Sequence, residues 1–230
     1  IEDFLSGFNE VLQENGLLLL GGDTVRSPGS LMFSVTVLGE VMETEICYRS
    51  GARAGDLLLT SGMVGGAAAG LMICEKKGRD AAEPFTRLVS CHLDPQAKVQ
   101  LGRVLGKTGK VHAMLDSSDG LASDIAHLCE ESGVGAELLA ESLPINEGVE
   151  LLARDVGCDP LDFALRGGED YQLVMAVAET EAEALIERCA VDLDEKLTII
   201  GRIIEGQGVF LRKKGERQEI SFQGYDHFKV

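Results

Sequence analysis

The run Asp116-Ser117-Ser118-Asp119-Gly120-Leu121 holds two carboxylates three residues apart, with hydroxyls between them and a glycine behind. It follows the apolar stretch 111–115 and opens a helix-like stretch at 122–131. Such a strand end can hold hard cations and let backbone amides approach phosphate oxygens. A capping box is the competing reading: Asp116 would accept from the helix amides while Asp119 reaches back, and no ligand is needed.

Two further glycine turns carry acids in the same way. Gly21-Gly22-Asp23-Thr24 follows the apolar run 17–20, and Gly167-Gly168-Glu169-Asp170 precedes the strand-like run 171–177. Glycine pairs let the backbone take positive φ and come close to a ligand, and an acid at a strand end adds little packing. Three such turns together suggest carboxylates converging on metal ions, and hence a polyphosphate substrate.

The elements that must position these turns alternate along the chain. Residues 1–15 have a helical apolar face in Phe4, Leu5, Phe8, Val11 and Leu12. Strands are expected at 17–20, 31–41 and 56–60, and a change of pattern places a domain boundary near residue 45. The glycine-rich stretch 62–71 has neither dinucleotide-loop nor P-loop spacing, so its small residues read as close helix-to-sheet packing. Asp94-Pro95 is expected to start a helix with Pro at its first position and a stripe of Val99, Val104 and Leu105. Beyond the Asp116 turn come a helix to about residue 132, a strand at 136–139, helical pieces on either side of Gly157 and the strand 171–177. A helix at 179–190 and strands at 197–203 and 209–213 complete a mixed α/β pattern without internal repeats.

Composition narrows the classes. Of the 230 residues 45% are hydrophobic and 26% charged, which suits a folded core rather than disorder. A formal charge of −17 argues against a nucleic-acid groove, because binding a polyanion needs Lys and Arg. The six cysteines and four histidines show no zinc spacing, and the thiols read as buried and reduced in a cytoplasmic protein. The most apolar stretch, 62–74, is too short and glycine-rich to span a bilayer, so no membrane association is expected. The chain opens with Ile inside a helical pattern, so its start is expected to lie upstream.

Five ordered motifs resemble the thiamine-monophosphate kinase family, in the superfamily of aminoimidazole ribonucleotide synthetase. They are Gly-Gly-Asp-Thr at 21–24, Arg-Ser-Gly-Ala at 49–52, Ser-Asp-Gly-Leu at 118–121, Gly-Gly-Glu-Asp-Tyr at 167–171 and Gly-Tyr-Asp-His-Phe at 224–228. The resemblance implies transfer of the γ-phosphoryl of ATP to the phosphate of thiamine monophosphate, with several Mg²⁺ ions and no protein nucleophile. By motif, it implies Mg²⁺ ligands at Asp23, Asp116 and Asp119, and ATP contacts at Gly22, Asp23, Arg49 and Ser118. Glu169 and Phe222 would meet the thiamine end. Arg49 also reads as an exposed strand-end arginine, and Phe222 as a core residue of the last strand.

Two departures accompany the resemblance. Ser117 stands where an aliphatic residue is expected, and the family's N-terminal acids and dimer-forming strands are not among these 230 residues. The resemblance therefore implies an α/β, aminoimidazole ribonucleotide synthetase-like two-domain architecture with a truncated first domain. Residues 1–45 would be the C-terminal remnant of the ATP- and metal-binding domain and 46–230 the C-terminal α/β domain, with a homodimer in the complete protein. The alternatives are a sister ATP-dependent synthetase acting on another small substrate and a non-catalytic phosphate-ester or partner-binding module.

Overall fold

The computed structural model describes residues 1–79, 81 and 83–220. The chain divides into two units, Ile1–Val41 and Met42–Val230. The first carries helix α1 (Glu2–Glu14), begun by the acids Glu2 and Asp3, which suit the positive end of a helix. The expected strands at 17–20 and 31–41 do not form. A strand exists only through a ladder partner, and these residues have none among the described residues; Leu18 is 83% exposed.

The second unit is built on one mixed seven-stranded sheet. In chain order its elements are β1 (Leu57–Ser61), α2 (Gly66–Lys77), α3 (Thr86–Leu93), α4 (Val99–Thr108), β2 (Val111–Asp116), α5 (Leu121–Ser132) and β3 (Gly135–Leu139). There follow α6 (Glu147–Val156), α7 (Pro160–Arg166), β4 (Leu173–Val177), α8 (Glu179–Leu193), β5 (Leu197–Ile204), β6 (Val209–Lys213) and β7 (Glu216–Glu219). The strand order is β2-β4-β1-β5-β3-β6-β7. All pairs are antiparallel except β3 with β6.

Both sheet faces are covered, and the period of two decides which residue goes where. Leu58 of β1 joins a core with Leu121, Ile125 and Leu128 of α5, whereas the next residue, Leu59, joins Leu101 and Leu105 of α4 and Leu185 of α8. A third core unites α2, α3, α6 and α7 through Ile73, Leu88, Val149 and Phe163. The small residues of α2 serve close packing as expected: a Cβ on Gly70 would stand 1.9 Å from the Leu88 carbonyl oxygen.

Several details differ from the sequence reading. Asp94-Pro95 starts no helix; α4 begins at Val99, and the preceding α3 is an additional helix. Of the expected stripe Leu105 faces the core, but Val99 is 40% exposed and Val104 only half-buried, and the second core position is Leu101. The strand expected from 171 begins at Leu173, because Tyr171 takes a left-handed φ of 49° that no strand accommodates. The short charged strand β7 was not expected. Cys129 and Cys189 are buried, but Cys158 is exposed.

Candidate functional site

The turn after β2 and the turn before β4 are one structure. β2 and β4 pair antiparallel up to Asp116 opposite Leu173. Beyond that pair the ladder continues irregularly: the Ser117 amide donates to the Gln172 carbonyl at 2.7 Å, and the Tyr171 amide to the Ser117 carbonyl at 2.8 Å. The Glu169 amide then donates to the Ser118 carbonyl at 2.9 Å. Glycine is required at this junction. A Cβ on Gly168 would lie 2.4 Å from the Ser118 oxygen, and one on Gly120 3.0 Å from the Arg166 carbonyl. Two motifs about fifty residues apart in sequence thus present Asp116, Ser118, Asp119 and Glu169 from adjoining strand ends.

The capping-box reading fails here. Gly120 is the cap residue of α5, and among the described residues neither Asp116 nor Asp119 accepts from an amide of that helix. Asp124, inside the first turn of α5, bends back instead, and its Oδ2 accepts from the Asp119 amide at 3.3 Å. Burial pushes the Asp124 carboxyl up to about 6, against the lowering effect of that bond; the neighbouring Asp119 charge adds to the rise. Asp116, half-buried, and Asp119, exposed, are left without cap or ion pair among the described residues.

The glycine turn at 167–171 splits its two acids. Asp170 is 9% exposed, and its carboxylate accepts from the Gly65 amide at 2.6 Å and the Ala67 amide at 3.0 Å. It therefore fills the N-terminus of α2, the place where the glycine-rich stretch could have held an anion. Burial raises Asp170 to about 6 despite these bonds. Glu169 points the other way, with its side chain 54% exposed. Flanking Asp170, Glu169 and Tyr171 take φ of 67° and 49°, conformations that side-chain-bearing residues rarely adopt and that concentrate at functional sites. Burial first, then the charges of Glu169, Asp116 and Asp119, raise the Tyr171 phenol, which marks all three carboxylates as its electrostatic neighbours.

Arg49 is exposed, and its neighbour Tyr48 bonds through its carbonyl to the Met114 amide at 2.8 Å, two residues before Asp116 on β2. Gly51 packs against the same strand, where a Cβ would meet the His112 carbonyl at 2.7 Å. Gly22 and Asp23 lie exposed in the first unit, with Asp23 Oδ1 accepting from the Thr24 amide at 2.8 Å. Phe222 lies outside the described residues.

Sequence reasoning missed three positions. Asp124 and Asp170 are buried carboxylates that support the turns. His92 brings its Nδ1 to 3.3 Å from Glu169 Oε2. An acid inside a helix's first turn was a readable signal for Asp124; nothing local in sequence signals His92, which comes from α3.

As a metal site, the geometry offers a pair rather than a cage. No group of three His, Cys, Asp or Glu side chains poised for an ion occurs among the described residues. Two uncommitted carboxylates suit Mg²⁺, which is commonly held by one or two carboxylates together with substrate phosphates and water.

A mixed sheet covered on both faces, with acid-bearing glycine turns at its strand ends, defines the class: residues 53–214 match the family model "AIR synthase related protein, C-terminal domain". The thiamine-monophosphate kinase of Bacillus subtilis is 33% identical over 233 residues, covering 100% of this chain and 70% of that protein. The crystal structure of thiamine-monophosphate kinase from Stenotrophomonas maltophilia K279a aligns with a TM-score of 0.68 at 38% identity, covering 76% of this chain and 55% of that one. AaThiL complexed with AMPPCP and TMP aligns at 0.65 and 35%, covering 79% and 54%. The chain belongs to the thiamine-monophosphate kinase family, whose members are phosphotransferases. It spans about 70% of the length of the Bacillus relative and little more than half of these solved chains.

Proposed function

We propose that this chain takes part in the transfer of the γ-phosphoryl of ATP to the phosphate of thiamine monophosphate, giving thiamine diphosphate and ADP. The observation that carries the reading is the docking of two motif turns through the Ser118–Glu169 and Ser117–Tyr171 backbone bonds. It sets an uncommitted carboxylate pair beside an exposed glutamate. AaThiL complexed with AMPPCP and TMP supports the choice of both substrates.

Asp116 and Asp119 would hold Mg²⁺, and Asp23 is by its motif a Mg²⁺ ligand as well. Mg²⁺ supplies neutralisation of the phosphate charges, which otherwise keep two phosphorylated substrates apart. Ser118 would meet the nucleotide, and Gly22 and Asp23 are by their motif ATP contacts. Arg49 has the planar fork that binds two phosphate oxygens at once. Glu169 would face the thiamine end, where a carboxylate suits the cationic thiazolium ring, and Phe222 would lie against the same ligand. The acceptor is itself a phosphate oxygen, already anionic, so the residues need only align the partners and no general base is called for. A homodimeric, cytoplasmic enzyme is the accompanying expectation. No helix among the described residues is long and apolar enough to cross a membrane.

Calorimetry tests the carboxylate assignment. Asp116→Asn conserves volume but removes a charge, so Mg²⁺-dependent binding of AMPPCP should weaken at least about tenfold with an unchanged melting temperature. Unchanged binding would contradict the assignment.

A further inference from the structure

We propose that His92 is a positioning residue for the Glu169 carboxylate, an inference that rests on the reading of Glu169 as the contact to the thiamine end. His92 lies in the last turn of α3, outside all five motifs. Its Nδ1 is buried and has no hydrogen-bond partner among the described residues, yet it stands 3.3 Å from Glu169 Oε2, close but out of line. Buried imidazole nitrogens ordinarily find partners, so an unspent one beside a site carboxylate calls for a reason.

The surroundings supply one. The Glu169 backbone is held by the Ser118 carbonyl on one side and by the Asp170 anchor on α2 on the other. Its side chain, 54% exposed, has no other ion pair among the described residues to hold it. Ordering a free glutamate on binding costs affinity, and a neighbour that holds it beforehand removes part of that cost. His92 can do so because it is itself fixed: its side chain is 19% exposed, and its Cβ lies 3.0 Å from where a Cβ on Gly70 would stand. A modest turn of the carboxylate brings Oε2 into line with Nδ1. Helix α3 thereby reaches the ligand through Glu169 without touching it.

The test is the affinity for thiamine monophosphate and for AMPPCP, each with Mg²⁺, measured by calorimetry on the chain and on variants that retain its melting temperature. His92→Ala should weaken thiamine monophosphate about tenfold and shift AMPPCP by less than about twofold. His92→Asn, whose amide nitrogen reaches roughly the place of Nδ1, should restore most of the loss, whereas His92→Gln should not. In combination with Glu169→Gln, His92→Ala should add nothing further. An unchanged thiamine monophosphate affinity in His92→Ala, an equal loss for both ligands, or an additive double variant overturns the inference. Should His92→Ala fail to fold, equal affinities of His92→Asn and His92→Gln overturn it. If Glu169→Gln weakens thiamine monophosphate while His92→Ala does not, this inference alone falls. If the unmodified chain does not bind thiamine monophosphate, or if Glu169→Gln is without effect, the underlying reading falls and takes the inference with it.

Discussion

Two aspartates three residues apart can be caps, ligands or both, and the partners of their neighbours decide which. Asp119 is held by its amide, through Asp124, so its carboxylate is not consumed. Asp170 is the opposite case, an acid of a glycine turn spent entirely on the amides of Gly65 and Ala67. Its burial has a measurable consequence. The Asp170 carboxyl is raised from an ordinary 3.8 to about 6 in the folded chain, so between those values the folded state binds more protons than the unfolded one. Its contribution to stability therefore falls as pH rises from about 4 to 6. Asp159 has the reverse sign: the Lys213 ammonium holds it low, and its contribution is present above about pH 4 and lost below. Relative to Asp170→Asn, the unmodified chain should gain on the order of 1–3 kcal/mol in denaturant-unfolding free energy between pH 7 and pH 4. A pH-independent difference, or one of opposite sign, would contradict the buried-carboxylate account.

Elements with a strong local pattern were legible in the sequence, and elements that depend on a partner were not. β1, β5, α5 and α8 follow from periodicity and glycine punctuation because each buries its own apolar face on the sheet. Segments 17–20 and 31–41 have strand-like residues but no ladder, which periodicity cannot reveal. The three acid turns were visible as motifs, yet the docking of 116–120 on 167–171 comes from the β2–β4 register, a long-range property. The capping of α2 by an acid some hundred residues away was equally invisible. Glycine substitutions separate these levels. Gly168→Ala sets a Cβ 2.4 Å from a backbone oxygen at the junction, and should cost about 1–3 kcal/mol and weaken both ligands. Gly102→Ala in α4 meets only a Leu173 methyl at 3.7 Å, and should be neutral or stabilising by up to about 1 kcal/mol. Thermal denaturation of the two variants checks the contrast; equal costs would mean that the junction is not close-packed.

At the scale of the molecule, the sheet unit has cores on both faces and carries Arg49, Asp116, Ser118, Asp119 and Glu169, whereas Gly22 and Asp23 belong to the first unit. A formal charge of −17 makes cations the natural intermediaries for phosphorylated ligands, in keeping with an acid-rich site and few basic residues at it. Family membership and the docked turns both support the proposed reaction. Its most direct test is chromatographic detection of thiamine diphosphate formed from thiamine monophosphate and Mg-ATP. The assay should use the chain extended by whatever coding sequence precedes Ile1, alongside the 230 residues alone. Stoichiometric formation of thiamine diphosphate and ADP by the extended protein is the predicted result; a folded extended protein that binds ATP yet forms no thiamine diphosphate would contradict it.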